Sequence, residues 1–246
     1  MSSSIVSKVP PPTPELSCKT AIVGVGETDY HLDYIAQRQK PEGYESPTVE
    51  SLACKAFERA LSDSGLTRSE IDGLSVSFTF GGPDPAAMAN MLDFKPQYCI
   101  KNGSIMAGPL PVVSADIAAG KVDTVAMLFA VASRSMGRQF GGSSDYKADG
   151  VPTSYYYHHP WGWSSQAAHW ALMLSHYQAA YNVDGKSLAA VAVQLRKHAM
   201  AAPNAVMQTP MSVDDYLASR HIVRPLRLFD LCMVNDGAVC LIVTSA

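Results

Sequence analysis

Short apolar runs alternate with amphipathic segments over the first half of the chain. The runs over 19–25, 73–80 and 122–132 predict strands, and the last of these has the continuous apolar character of a strand buried on both faces. Residues 48–64 repeat apolar positions at helical spacing and are followed by Gly65, which predicts a helix with glycine at its C-terminal end. This alternation from 19 to 132 predicts a layered α/β sheet with right-handed crossovers.

The segments between these elements are less regular. Residues 27–46 are polar and rich in turn formers, so we predict a loop there. AAMANMLDF predicts a helix and PQYCI a short strand. Because proline is tolerated only in the first turn of a helix, Pro109 and Pro111 predict a helix over 109–119 that starts near Pro109. The residues in front of it, NGSIMAG, are then an irregular loop.

The pattern changes after residue 132. Residues 133–163 are rich in Gly, Ser, Tyr and His and show no periodicity. Helices are predicted over 165–181 and 185–200, and a further helical turn follows Ser212, a typical N-terminal cap with Asp215 three residues later. A final strand is predicted over 236–244.

Composition and charge exclude several classes of function. The chain has 246 residues, a hydrophobic content of 47% and a net charge of −3 without a block of like charges. We therefore expect no nucleic-acid partner and no association with an anionic membrane. No apolar run approaches the roughly 20 residues of a membrane span, and the proline-rich N-terminus lacks the core of a signal peptide. The five cysteines are scattered, which argues against disulfides and zinc and favours a reducing, cytoplasmic location.

Histidines and aromatic residues of the middle segment are candidates for a site. His169 and His176 are seven residues apart, which places them on one helical face, but no carboxylate has matching spacing and we predict no metal. His158 and His159 fit an ordered aromatic loop as well as a metal site. The neighbouring aromatic residues fit an interface or an acyl-binding wall as well as plain packing. They are Tyr155, Tyr156, Tyr157, Trp161, Trp163 and Trp170.

The order of the elements resembles a known family. KTAIVGVGETDY, TVESLACKAFERALSDSGLTRSEIDGLSVSF and SADIAAGKVDTVAMLFAV are similar to the N-terminal half of a thiolase. RPLRLFDLCMVNDGAVCLIVTSA is similar to the family's strand entry ending in Asp-Gly-Ala. The helical stretch from AAHWALMLSHYQ to APNAVM resembles the loop domain of lipid-transfer thiolases, the branch related to the thiolase part of sterol carrier protein X.

This resemblance implies a domain organisation. Thiolases have two βαβαβαββ halves, and a helical loop domain is inserted in the first. We expect a flexible arm over 1–18, one thiolase-like α/β half formed by 19–132 and 221–246, and an inserted loop domain over 133–220. The family's catalytic histidine and second cysteine belong to the C-terminal half, and the resemblance ends at Ala246. These groups are therefore expected from a C-terminal half or a partner chain.

The family's nucleophilic cysteine has no counterpart at its expected position. In thiolases it lies at the N-terminus of the third helix, where the helix dipole and free N–H groups lower the pKa of a thiol. Counting back from Gly120, the position falls at Gly103 or Ser104. Ser104 would need a nearby base, and Cys99 lies four or five residues too early, in the predicted strand. These three residues are the candidate catalytic positions, with packing as the alternative for Cys99.

The resemblance leaves three functions open. The first is cleavage or formation of a carbon–carbon bond in a lipid or steroid side-chain acyl-CoA without a cysteine acyl-enzyme. The second is conventional acetyl-CoA acyl transfer, and the third is a non-catalytic binding or scaffold subunit. Coenzyme A is expected as the thioester substrate, with no covalent cofactor, and Arg196, Lys197 and His198 are candidates for its phosphates or else a solvated helix face. The family also implies a homodimer and a small OB-fold, zinc-ribbon partner protein.

Overall fold

A computed structural model of the chain describes residues 16–79, 81–137, 161, 163 and 165–246. These residues form two compact units. The first unit contains the described residues of 16–28, 48–131 and 237–246, and the second contains those of 29–47 and 132–236.

The helices and strands follow the chain in an alternating order. The helices are α1 (Tyr30–Gln39), α2 (Val49–Ser64), α3 (Pro85–Met91), α4 (Leu110–Ala118), α5 (Gln166–Tyr181), α6 (Lys186–Ala201) and α7 (Val213–Ala218). The strands are β1 (Thr20–Glu27), β2 (Gly73–Ser77), β3 (Tyr98–Asn102), β4 (Thr124–Ala132), β5 (His221–Val223), β6 (Leu226–Arg227) and β7 (Asp236–Ser245).

Five strands form one mixed sheet in the order β1-β7-β4-β2-β3. Strand β2 pairs in parallel with both β3 and β4, whereas β1 and β7 are antiparallel. All five residues of β2 are buried. Seven of the nine residues of β4 are also buried, as its continuous apolar run predicts. The sheet confirms the predicted layered α/β fold, and β3 lies at one edge of it.

Helix α2 packs closely on β1 because two strand positions carry no side chain. A Cβ added to Gly24 or Gly26 would clash with the backbone of α2 at Ala60 or Ala56. The helix begins at a capping box, in which Thr48 accepts from the Ser51 amide and the Ser51 hydroxyl accepts from the Thr48 amide. Its apolar stripe, predicted from helical spacing, is the buried face.

Helix α4 covers the opposite face of the sheet. Val113 and Ile117 of this helix pack in one cluster with Val125, Met127 and Val243. The Tyr98 hydroxyl of β3 donates to Asp116 of α4 over 2.7 Å, and Lys121 donates to the same carboxylate over 2.6 Å. Burial and the Asp116 hydrogen bond raise the pKa of Tyr98, while the Lys121 hydrogen bond lowers that of Asp116. These bonds fix α4 against the edge strand.

The second unit has its own small core. Ala189 and Ala192 of α6 pack against Tyr216 of α7, whose hydroxyl donates to the Asp230 carboxylate over 2.8 Å. Ser212 caps α7 and forms a capping box with Asp215, as predicted. Helix α5 buries only Ala171 among its sixteen residues, so most of its apolar side chains are uncovered in the described part of the chain.

One prediction of local structure was wrong. Residues 30–39, expected within a loop, form α1. The helix has no fully buried residue, so its sequence lacks the apolar stripe that identifies a packed helix. The predicted domain boundaries stay a prediction. The two compact units assign 29–47 and 132–236 to the same unit.

Candidate functional site

The predicted nucleophile position lies in an irregular segment between β3 and α4. Gly103 and Ser104 are both exposed there. The segment is anchored by Asn102, whose side-chain oxygen accepts from the Ser104 amide over 3.2 Å and whose amide group donates to the Ser75 hydroxyl over 3.1 Å. Sequence reasoning missed Asn102 and the buried Ser75, although a polar residue at the end of a strand was the available signal.

Two glycines shape this segment. A Cβ added to Gly103 would lie 2.8 Å from the outer edge of the Phe78 ring, so the backbone passes directly against that edge. A Cβ added to Gly108 would clash with the Ser104 hydroxyl, which is folded against the start of α4. In the described part of the chain this hydroxyl has no hydrogen-bond partner. Ser104 is therefore near the helix start, but none of the described residues hydrogen-bonds its hydroxyl as the base that acyl transfer by a serine requires.

The N-terminus of α4 has lost most of the donors that stabilise an anion. Pro109 is the residue before the helix and Pro111 is its second residue, and neither has an N–H. The Leu110 amide bonds to the Met106 carbonyl over 3.3 Å. Val112 is thus left as the single first-turn amide that a ligand could use. A helix start stabilises a thiolate or an oxyanion mainly through such free amides, so this one is poorly suited to either.

Cys99 lies on the other face of the sheet. Its neighbour Tyr98 points towards α4, and side chains alternate along a strand. Cys99 instead lines an open groove of about 470 Å³ beside α3, together with Asp84 and Lys101. Partial desolvation, and then the negative charge of Asp84, raise the pKa of the Cys99 thiol. A thiol in this state and position is unsuited to act at the N-terminus of α4.

The three residues predicted to bind the phosphates of coenzyme A have different surroundings. Arg196 donates to the Thr209 carbonyl over 2.8 Å, and its guanidinium carbon lies 5.6 Å from the centre of the Phe229 ring. Lys197 and His198 are exposed, and His198 hydrogen-bonds to the Gln194 side chain over 2.8 Å. The structure gives Arg196 a packing role, and the assignment of all three to coenzyme A stays a prediction.

The aromatic middle segment is described only in part. Tyr155, Tyr156, Tyr157, His158 and His159 lie outside the described residues. Trp163 donates to His169 over 2.7 Å, so this histidine is engaged with the indole. Within the described ranges no group of three His, Cys, Asp or Glu side chains could hold a metal ion.

A buried carboxylate marks the point where the chain re-enters the sheet. Asp236 begins β7 and accepts from the amides of Arg134 and Ser135 over 2.8 and 3.1 Å. It also accepts from the Ser135 hydroxyl over 2.7 Å and from the Gln37 amide group over 3.2 Å. The Asp-Gly-Ala pattern was recognised in the sequence, but these partners were not. The carboxylate joins the two ends of the long segment between β4 and β7.

Comparisons with curated proteins give two relatives. The chain is 33% identical to 17-hydroxy-3-oxo-4-pregnene-20-carboxyl-CoA lyase of Mycobacterium tuberculosis, over 94% of its own length and 58% of that protein's. It is 30% identical to the steroid side-chain-cleaving aldolase of Thermomonospora curvata, over 92% of its own length and 56% of that protein's. The chain therefore spans less than two thirds of either relative.

Solved structures agree with this relationship. One described as the Ltp2-ChsH2(DUF35) aldolase is 28% identical and covers 94% of this chain and 56% of its own, with a TM-score of 0.76. Human mitochondrial 3-ketoacyl-CoA thiolase, solved with CoA, is 12% identical and covers 92% of this chain and 64% of its own, with a TM-score of 0.63. The second likeness shows the fold alone. No protein-family profile matches the chain, and none of the described helices has the length and apolarity of a membrane span.

Proposed function

We propose that this chain, a thiolase-like protein related to steroid side-chain-cleaving aldolases, takes part in breaking a carbon–carbon bond of a lipid or steroid side-chain acyl-CoA. The observation that carries the proposal is the rebuilt start of α4, which has neither a thiol nor, after Pro109 and Pro111, the amides that would stabilise one. The sequence relationship to a CoA lyase and an aldolase supports the same chemistry.

A reaction of this type needs no acyl-enzyme. In a β-hydroxyacyl-CoA, a base removes the hydroxyl proton, the carbonyl forms, and the bond between the α and β carbons breaks. Its electron pair passes to the thioester as an enolate, which hydrogen-bond donors stabilise and an acid protonates. The products are an aldehyde or ketone and a shortened acyl-CoA.

We assign the acid and base to a C-terminal half or a partner chain. Around Ser104 the described residues provide no hydrogen-bonded base. The exposed surface of the first unit supports a missing neighbour. Ile22 and Val25 of β1 are 48% and 53% exposed. They pair with Val243 and Leu241 of β7, whose side chains pack on the face of the sheet that α4 covers. Val112 of α4 is also 53% exposed. An apolar surface of this kind is typical of one that another element covers.

We also propose a homodimer and a small OB-fold partner with a zinc ribbon. Strand β3, with its exposed Cys99 and Lys101, pairs only with β2 among the described strands, so its outer edge is available for contact with a second copy. The similar aldolase structure names two components, Ltp2 and ChsH2(DUF35). The uncovered apolar side chains of α5 support a protein partner for the second unit. A cytoplasmic location remains part of the proposal.

Binding without catalysis is the second candidate. It is favoured by one observation, the absence of a base beside Ser104 in the described residues. On this alternative the chain binds an acyl-CoA or scaffolds a catalytic partner. Conventional acyl transfer would require Cys99 or Ser104 to accept the acyl group, and the surroundings of neither residue support this.

The test supplies a steroid side-chain β-hydroxyacyl-CoA to the chain, alone and together with a C-terminal thiolase-like half. Products are identified by mass spectrometry. We expect a ketone or aldehyde and a shortened acyl-CoA only in the combined sample. A covalent acyl adduct on the intact chain that disappears in Cys99→Ala or Ser104→Ala would instead establish acyl transfer. Binding of the CoA thioester without any product would leave the non-catalytic alternative.

A further inference from the structure

Two arginine side chains meet on one aromatic ring in the second unit. Arg38 lies one helical turn after Tyr34 in α1, and its guanidinium carbon is 5.8 Å from the centre of the Tyr34 ring. Arg134, two residues after β4, places its guanidinium carbon 4.5 Å from the same centre. The two guanidinium carbons are therefore separated by no more than the sum of these distances, a span that the two phosphoryl groups of a diphosphate can bridge.

The positive charge of this pair is not balanced by the described residues. Neither Arg38 nor Arg134 forms an ion pair with a carboxylate there. The nearby Asp236 carboxylate accepts from the backbone amide of Arg134, not from its guanidinium, and is already occupied by Ser135 and Gln37. Arg134 is nonetheless half-buried. Desolvating a cation without an anionic partner costs free energy, so the position favours an anionic ligand.

Arg134 is also held in place before any ligand arrives. The Arg134 backbone is fixed by its 2.8 Å bond to Asp236, and Tyr34 stacks with its guanidinium. Arg38 is exposed, and the helix places it on the same side of α1 as this ring. Because a guanidinium presents several N–H donors in a planar fork, it matches phosphate oxygens at a low entropic cost when it is already oriented.

We propose that Arg38 and Arg134 form the subsite for the diphosphate of the CoA thioester, a proposal that rests on the function proposed above. Tyr34 positions both guanidinium groups. This pair differs from the residues predicted from the sequence, of which Arg196 is engaged with the Thr209 carbonyl and the Phe229 ring. The adjoining Asp236 connects the subsite to the start of β7.

The test measures binding of coenzyme A to the whole chain by isothermal titration calorimetry. Arg38→Gln and Arg134→Gln should each weaken binding about tenfold, which corresponds to about 1.4 kcal/mol. Arg134→Lys should give an intermediate loss, because it keeps the charge but not the fork. Arg220→Gln is the charge-matched control, since this exposed arginine belongs to the same unit and has no described side-chain partner. Thermal unfolding of each variant checks that the fold is kept.

Ligand fragments distinguish the diphosphate from other parts of coenzyme A. Dephospho-CoA, which keeps the diphosphate, should show the same losses as coenzyme A, whereas pantetheine binding should not change. The proposal is overturned if wild type does not bind coenzyme A, if Arg38→Gln binds as wild type, or if Arg220→Gln loses as much affinity. If the variants lose binding but no carbon–carbon cleavage is found with any C-terminal half, the result supports the subsite and refutes the proposed activity.

Discussion

Replacing Asp236 with alanine should destabilise the second unit strongly. The carboxylate is 6% exposed and accepts four hydrogen bonds of 2.7–3.2 Å, from Arg134, Gln37 and two groups of Ser135. A hydrogen bond to a charged group contributes about 1.5–3 kcal/mol, and a buried donor left without its acceptor costs about 1–3 kcal/mol. Because the bonds belong to one network they are not additive, and we expect a loss of about 3–5 kcal/mol, which is less than the separate contributions would give together.

The asparagine variant tests the charge of the Asp236 carboxylate separately from its shape. Asp236→Asn keeps one oxygen for the Arg134 and Ser135 amides, and its amide group can meet the Ser135 hydroxyl, which is able to accept. We therefore expect a loss of only about 1–2 kcal/mol. Asp214→Ala is the matched control, because this carboxylate is exposed in α7 and no hydrogen bond is described for it.

Two measurements report on these variants. Urea unfolding gives the change in stability, with a fit that allows two transitions because the chain has two compact units. Hydrogen exchange of the peptide covering residues 132–137 reports directly on the Arg134 and Ser135 amides, which should exchange faster in Asp236→Ala. Unchanged exchange of this peptide, or equal losses in the alanine and asparagine variants, would refute the assigned network.

Three further predictions concern packing, reactivity and pH. Gly26→Ala should lower the free energy of unfolding in urea by about 1–3 kcal/mol, because its Cβ would clash with α2. Gly185→Ala is the control and should be near neutral, because its Cβ would meet no atom within 4 Å. Equal effects would contradict the close packing of α2 on β1. Alkylation of Cys99 by iodoacetamide at pH 7 should be slower than that of free cysteine because its pKa is raised, and a faster rate would indicate a thiolate. Because the pKa of Asp116 is lowered in the folded protein, its carboxylate stabilises the fold above pH 3.8, and this contribution is lost as the pH falls further. Because the pKa of Tyr98 is raised, its hydroxyl stabilises the fold up to pH 10, and this contribution is lost as the pH rises further. Coupling between Tyr98→Phe and Asp116→Asn in a double-mutant cycle should therefore be present at pH 7 and should weaken only as the pH falls below 3.8 towards the lowered pKa of Asp116 in the folded protein. Coupling that is already lost at pH 5 would argue against the bond.

Much of the first unit could be predicted because its signals are local. The helical stripe of α2, the buried run of β4 and the proline-defined start of α4 each depend on residues close together in the sequence. The resemblance to a thiolase, counted back from Gly120, then placed the altered nucleophile position in the segment between Asn102 and Pro109. Helix α1 was missed for the same reason, since it has no fully buried residue and leaves no apolar period in the sequence.

The sequence by itself determined the order of the elements, their resemblance to a thiolase half and the absence of cysteine at Gly103 and Ser104. Only the tertiary structure decided which distant groups meet. It placed Cys99 on the face of the sheet opposite α4, and it brought Arg134 to Tyr34 and Asp236 to Gln37, pairs separated by long stretches of chain. Periodicity records whether a position is buried. The identity of the group that it meets depends on strand register and helix packing, which no local pattern encodes.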